Sequence, residues 1–176
     1  MSNDSNEQFT LEEMKPEDFV TANEMRLQSF LDSYVNEDFG VTYDWILARN
    51  EWQRSPEQVT FRRQLMKDSK SAQWVAKNRT GLIIGVVGPY VSNGGVQRVG
   101  SLYVDKNWHG KGVGPALMQE VIDWHDSTKP IIVEVVSYNE RAKAFYRKWD
   151  FEEIPGSESL FADKIPEIRM IRKAQI

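Results

Sequence analysis

The order of periodic segments predicts a mixed α/β fold whose sheet is antiparallel in its first half. Three observations carry that expectation. A short alternating stretch leads into about fifty residues of helical spacing. Three β-rich segments then follow in a row, separated by turn-forming clusters, and strand-like and helix-like patterns alternate from Val104 onward. A strictly alternating βαβ protein would lack the central run of strands, so a mixed sheet follows.

Phe9 to Met14 alternates apolar and polar side chains, with Met14 out of phase, and predicts a short strand. Pro16 suits a first helical turn, and Val20, Leu27, Leu31 and Tyr34 recur at helical spacing through Val35. Asn36 to Gly40 interrupts that helix. Tyr43 to Arg54 predicts a second, and Ser55-Pro56 supplies an N-cap and a first-turn proline for a third that runs to about Lys67. The β-rich middle comprises Gln73 to Lys77, Leu82 to Val91 and Val96 to Val104. Asn78-Arg79-Thr80-Gly81 and Ser92-Asn93-Gly94-Gly95 separate these strands, and Asn-Gly is a hairpin signal, so an antiparallel meander is expected. Val113, Leu117, Val121 and Trp124 keep one face of the next helix apolar. Pro130 to Val136, PIIVEVV, is nearly continuous β-branched sequence and suits a buried central strand. Asn139 can cap a last helix whose inner face is Ala142, Phe145 or Tyr146, and Trp149, and Phe151 to Ile154 and Ile168 to Arg172 close the sheet.

At 176 residues the chain suits one domain spanning 1–176, with the polar residues 1–8 expected as a disordered tail. Hydrophobic residues are 40% and charged ones 27%, which excludes a disordered or membrane composition. The net charge of −4 argues against nucleic-acid binding, which needs a clustered basic face. The absence of cysteine excludes disulfides, thiolate zinc sites and a cysteine nucleophile. His109 and His125 show no HExxH pattern, so no metal site is expected, and they read as a turn residue and a helix-surface residue. No apolar run approaches the ~18 residues of a membrane span and the N-terminus is not signal-like, so a cytoplasmic address is expected. Aromatic side chains expected at the surface suit a homodimer.

The chain is organised around Val104 to Met118, VDKNWHGKGVGPALM, where Gly110, Gly112 and Gly114 alternate between a strand and a helix. Such a turn points several N–H groups at one spot, and the helix dipole adds positive potential there, a phosphate-holding arrangement to which Lys111 can contribute charge. Pro115 sits in the first helical turn, where a missing N–H costs little. A P-loop is excluded because no lysine here has the GxxxxGK[ST] spacing. The dinucleotide fingerprint GxGxxG also fails, since its sixth position falls on Pro115 or Leu117. A glycine-rich turn that merely joins strand to helix is the remaining alternative.

The stretch LYVDKNWHGKGVGPALM resembles the acetyl-CoA turn of the GNAT superfamily of N-acetyltransferases: Gln or Arg, two residues, Gly, one residue, then Gly or Ala. The pattern covers His109, Gly110, Lys111, Gly112, Val113 and Gly114, with His109 in place of Gln or Arg. A second stretch, EVVSYNERAKAFYRKWDFEEI, is similar to the family's Asn, Ala, Phe-Tyr signature, with Asp150 where a glycine is usual. The resemblance spans roughly Leu102 to Ile154. It implies an α/β (α+β) fold with a mixed, mostly antiparallel sheet of six to seven strands, helices on both faces, and splayed strands at the cofactor site.

The same resemblance implies acetyl-CoA as co-substrate. Pantetheine would lie between the strand ending Leu102-Tyr103-Val104 and the one around Ile132 to Val136, with pyrophosphate on Gly110 to Gly114, His109 and Pro115 flanking it among the cofactor-binding residues, and Asn139 beside the cofactor. Arg141, Lys143, Arg147 and Lys148 make the last helix basic, a run that equally fits a solvated face. Tyr146 matches the family tyrosine that protonates the coenzyme sulfur; a core aromatic is its alternative reading. No carboxylate occurs in Gln97 to Ser101, so Glu134, interrupting IIVEVV, is the candidate base. In an apolar strand its charge would be desolvated, lifting its pKa from ~4.3. A structural carboxylate is the competing reading.

For the acceptor, Phe30, Asp32, Tyr34, Glu37, Asp38 and Tyr43 place acids among aromatics, which suits a cationic amine. RLQSFLDSYV and ESLFADKIPEIRMIRKA are similar to parts of bacterial spermidine/spermine acetyltransferases, which implies a polyamine or other small cationic amine, with Phe30 and Tyr34 against it. The Glu134 and Tyr146 spacing instead resembles that of protein N-terminal (alanine-type) acetyltransferases. A non-catalytic acetyl-CoA sensor is the alternative of another class.

Overall fold

The computed structural model describes residues 9–65 and 67–175. Residues 1–8, expected as a tail, lie outside the described residues. Among the described residues eight strands form one sheet: β1 (Phe9–Glu13), β2 (Trp74–Asn78), β3 (Ile83–Val91), β4 (Gln97–Val104), β5 (Ile131–Val136), β6 (Phe151–Glu153), β7 (Ser159–Phe161) and β8 (Ile165–Arg172). Their order is β1-β2-β3-β4-β5-β8-β6, with β7 also paired to β8. Every pairing is antiparallel except that of β4 with β5. The expected mixed, mostly antiparallel sheet is therefore present, with one strand more than the upper expectation. That extra strand is β7.

Among the same residues five α-helices flank it: α1 (Phe19–Tyr34), α2 (Tyr43–Gln53), α3 (Pro56–Leu65), α4 (Val113–Trp124) and α5 (Glu140–Arg147). Pro16 opens a short 3-10 turn rather than α1 itself. On α1 the buried positions are Phe19, Ala22, Met25, Ser29 and Leu31, so Val20, expected inside, is 52% exposed. Ser55 caps α3 as expected, its Oγ accepting from the Gln58 N–H at 3.3 Å.

Both turn clusters form hairpins. Asn78 Oδ1 accepts from the N–H groups of Thr80 and Leu82, at 3.0 and 2.9 Å, and Gly81 takes a left-handed φ of 81°. In the second hairpin Gly95, not Asn93-Gly94, adopts positive φ (77°), so the loop is a longer one than a two-residue Asn-Gly turn.

The core divides by sheet face. Val99, Leu117, Met118, Val121, Val133 and Phe151 pack under α4 and α5, while Met14, Ala22, Met25, Val75 and Val86 pack under α1. A third cluster, Leu31, Val41, Ile46, Val136 and Ile165, joins α1 and α2 to β5 and β8. His125 is a correction: it is buried, its Nε2 3.1 Å from the Arg98 carbonyl, not on the helix surface. Among the described residues no helix is long and apolar enough to cross a membrane, and no group of three or more His, Asp or Glu could hold a metal.

Candidate active site

The site begins with a break in the sheet. β4 and β5 pair only at Gln97 with Ile131 and Arg98 with Ile132, and then diverge. Directly past Arg98, on the side of β4 that pairs with β3, Gly88 opposes Ser101 while Tyr90 opposes Arg98, so β4 carries one extra residue at Val99-Gly100. The bulge shifts the phase of the strand: Val99, Leu102 and Val104 all pack on the α4 side, whereas Tyr103 packs on the α1 side. Glycine is required at position 100, because a Cβ there would lie 2.1 Å from the Gly88 carbonyl oxygen.

The splay opens a cleft of about 840 Å³ lined by both strands, α1, α5 and the glycine turn. Of the residues singled out from sequence, Leu102, Tyr103, Val104, His109, Gly110, Gly114, Pro115, Glu134, Asn139, Tyr146, Phe30 and Tyr34 line it. Lys111, Gly112 and Val113 do not. The Val113 side chain is buried in the core, and the Lys111 ammonium sits 5.1 Å from the Trp108 ring centroid. These residues can offer the cleft only their backbone or, for Lys111, charge nearby. Asp32, Glu37, Asp38 and Tyr43 are not among the lining residues either. Asp32 pairs with Lys106 at 3.0 Å and accepts from Gln28.

The glycine turn has the local geometry of an anion site. Gly110 and Gly112 have φ of 76° and 86°, and nothing lies within 4 Å of where a Cβ would stand on either. Gly112 is the N-cap of α4, whose first-turn N–H groups have no intrahelical acceptors. Gly114 passes closely under the Phe145 ring. His109 fastens the turn: its Nε2 lies 3.0 Å from the Val104 carbonyl and its Nδ1 2.7 Å from Arg141 Nη1. Arg141 can only donate, so Nδ1 accepts and Nε2–H donates. The basic run on α5 separates accordingly: Arg141 and Lys148 line the cleft, Arg147 pairs with Glu153 and the buried Lys143 with Glu140.

Asn139 caps α5 through Oδ1, which accepts from the Ala142 N–H at 3.0 Å. One turn further, Tyr146 is buried against Phe145 and Phe151 in edge-to-face contacts. Burial, and then the neighbouring Tyr103, push its phenol well above the ordinary value. The same cause acts on Tyr34 and Tyr103, whose rings meet at 6.5 Å. Asp150, standing where the family has glycine, adopts a left-handed φ of 62°, so the turn keeps a glycine-like conformation with an aspartate in it.

Glu134 is not isolated in an apolar strand. It pairs with Arg98 and is about a third exposed, so the unpaired, desolvated carboxylate expected there is absent. Sequence reading missed a second acid, Glu167. It lies on β8 opposite Val136, while Glu134 lies opposite Arg169, which puts both carboxylates on one sheet face as diagonal neighbours. Burial first, then the negative charge of Glu134, push Glu167 up to about 7. The signal is weak: Pro166 interrupts the alternation, and the sequence pattern starts the strand at Ile168, one residue past Glu167.

The arrangement matches known proteins in fold. The sequence profile of the acetyltransferase (GNAT) family matches residues 33–151. Among curated proteins none matches the chain in sequence. The PaiA N-acetyltransferase of Thermoplasma acidophilum, solved with coenzyme A, superposes with a TM-score of 0.75 at 15% identity, covering 94% of this chain and 98% of its own. A GNAT-family acetyltransferase of Staphylococcus aureus gives 0.68 at 17% identity over 95% and 99%. A phosphinothricin acetyltransferase of Sinorhizobium meliloti, in complex with AcCoA, gives 0.71 at 17% identity over 95% and 89%. With a profile match over more than half its length, the chain belongs to the GNAT family of acetyltransferases, and the expected acetyl-CoA co-substrate goes with that membership.

Proposed function

We propose that the chain transfers an acetyl group from acetyl-CoA to a primary amine of a small molecule, in a ternary complex within the β4–β5 cleft. The observation that carries this reading is the convergence of an anion-holding turn, a splayed strand pair, a protonated tyrosine and two carboxylates on one cavity. The cradle fits the co-substrate. Gly110 and Gly112 offer open backbone for a pyrophosphate, with Arg141 and Lys148 nearby, and the edge of β4 turned away from β3 at Leu102 to Val104, which β5 no longer pairs, can hold an amide-bearing arm.

Acetyl-CoA supplies an activated thioester when bound; the protein's part is to position the amine and to move two protons. An alkyl ammonium has a pKa of ~10.4, so it must lose a proton before it attacks. Glu167, poised near 7, accepts that proton directly or through water, and Glu134, fixed by Arg98, supplies the negative charge beside it. As the new C–N bond forms and the C–S bond breaks, Tyr146 gives its proton to the departing sulfur. Burial keeps this phenol protonated at neutral pH and therefore able to donate. Phe30 and Tyr34 supply an aromatic wall for the acceptor. The expected preference for a cation rests inside the cleft on Glu134 and Glu167 rather than on Asp32, Glu37 or Asp38. Thiol release from acetyl-CoA in the presence of amine pools, with mass-spectrometric identification of the product, tests the proposal. Tight acetyl-CoA binding without turnover would make the chain a sensor instead.

A further inference from the structure

A second cavity, of about 280 Å³, lies beyond the aromatic wall between α1, α2 and β4, and it shares Phe30, Ser101, Tyr103 and Phe161 with the cleft. Among the described residues three arginines line it, Arg26, Arg49 and Arg54, and no acidic residue does. Their engagements differ. Arg26 donates to Gln73 Oε1 at 2.7 Å, and Arg54 pairs with Glu24 at 3.6 Å on the surface. Arg49 is half-buried with its guanidinium 4.9 Å from the Phe161 ring centroid. Among the described residues no carboxylate pairs with Arg49, and its Nε is buried without a hydrogen-bond partner. A half-buried guanidinium with its Nε unsatisfied and no carboxylate beside it costs the fold stability, which a ligand anion would restore.

We infer that the acceptor is a zwitterion: a small primary amine that also carries a carboxylate or phosphonate, bound with that acid group on Arg49 and its amine toward Glu134 and Glu167. The inference rests on the acetyl-transfer reading and narrows its substrate. The two ends of such a molecule meet opposite charges. The planar fork of Arg49 matches a carboxylate or phosphonate oxygen pair, stacking on Phe161 holds the fork in place, and Asn50 and Ser101 add polar contacts. The bulge in β4 contributes by keeping Tyr103 on this face, between the arginine cavity and the carboxylates. A polyamine would instead place a second ammonium beside three guanidinium groups, a like-charge contact that disfavours it.

The test presents the protein and acetyl-CoA with three pools: the protein amino acids, aminoalkylphosphonates, and a cationic pool of spermidine, putrescine and amino-acid amides. Acetylated products are identified by mass. The expected result is turnover in the first or second pool, which separates carboxylate from phosphonate, with each acid preferred over its amide by roughly tenfold or more in kcat/KM. Arg49→Gln is expected to raise KM for the acid roughly 10- to 100-fold, to abolish the preference over the amide, and to leave KM for acetyl-CoA unchanged. Arg49→Lys is expected to recover part of the loss. Turnover confined to the cationic pool, or to peptide N-termini added as a fourth arm, overturns the inference and leaves acetyl transfer standing. Turnover in no pool overturns both.

Discussion

Glu167 offers the sharpest perturbation of the chemistry. Its carboxyl is pushed up to about 7 by burial and by the charge of Glu134. A group with that value is about one-tenth ionised at pH 6 and about nine-tenths at pH 8, so the fraction of enzyme carrying the base rises roughly tenfold across the interval. Glu167→Gln keeps the shape of the side chain and removes the proton acceptor. We expect kcat/KM to fall by about 10²- to 10⁴-fold at pH 8. The ratio of wild-type to variant kcat/KM cancels the titration of the amine itself and should rise about tenfold between pH 6 and 8. Glu134→Gln provides the internal control. Removing the second cause of the upward shift should move the inflection toward acid, because Glu167 then ionises more readily. A ratio that is flat with pH, or a Glu167→Gln variant with the full wild-type rate, would refute Glu167 as the base.

Three further outcomes follow from the geometry. Tyr146→Phe should lower kcat by about 10²-fold or more with KM for acetyl-CoA nearly unchanged, measured by steady-state thiol release, since only the proton donor is lost. Asp150→Gly should raise stability by about 1 kcal/mol in urea unfolding, because the aspartate occupies a left-handed backbone conformation at φ 62° that glycine adopts without strain. Gly85→Ala should destabilise by about 1–3 kcal/mol in the same assay, as its Cβ would meet Leu117 and Val113 side chains at 2.8 Å in the α4-side core.

The parts of the fold that sequence made legible are those whose neighbours in space are neighbours in sequence. The meander of β2, β3 and β4 combines alternating side chains with two turn clusters, and Asn139 and Ser55 announce their helices by local capping chemistry. β7 announces nothing. It is three residues long, its Leu160 is exposed, and only pairing with β8 makes it a strand.

The site divides in the same way. The glycine turn and Tyr146 lie in local motifs, whereas the role of Glu167 depends on cross-strand register with β5, and that of Arg49 on α2 docking beside β4 and Phe161. Composition around α1 suggested acids for a cation. In the fold Asp32 turns to Lys106, and the arginines of α1 and α2 face the acceptor side instead.

The proposed cleft catalyses acetyl transfer rather than merely holding acetyl-CoA. The measurement that bears on it most directly is thiol release from acetyl-CoA by the full chain, with and without the amine pools, alongside calorimetric binding of coenzyme A. Release that depends on amine and matches N-acetylated product one for one is the predicted result. Tight coenzyme binding, with thiol release no faster in the presence of any amine than in its absence, would contradict it.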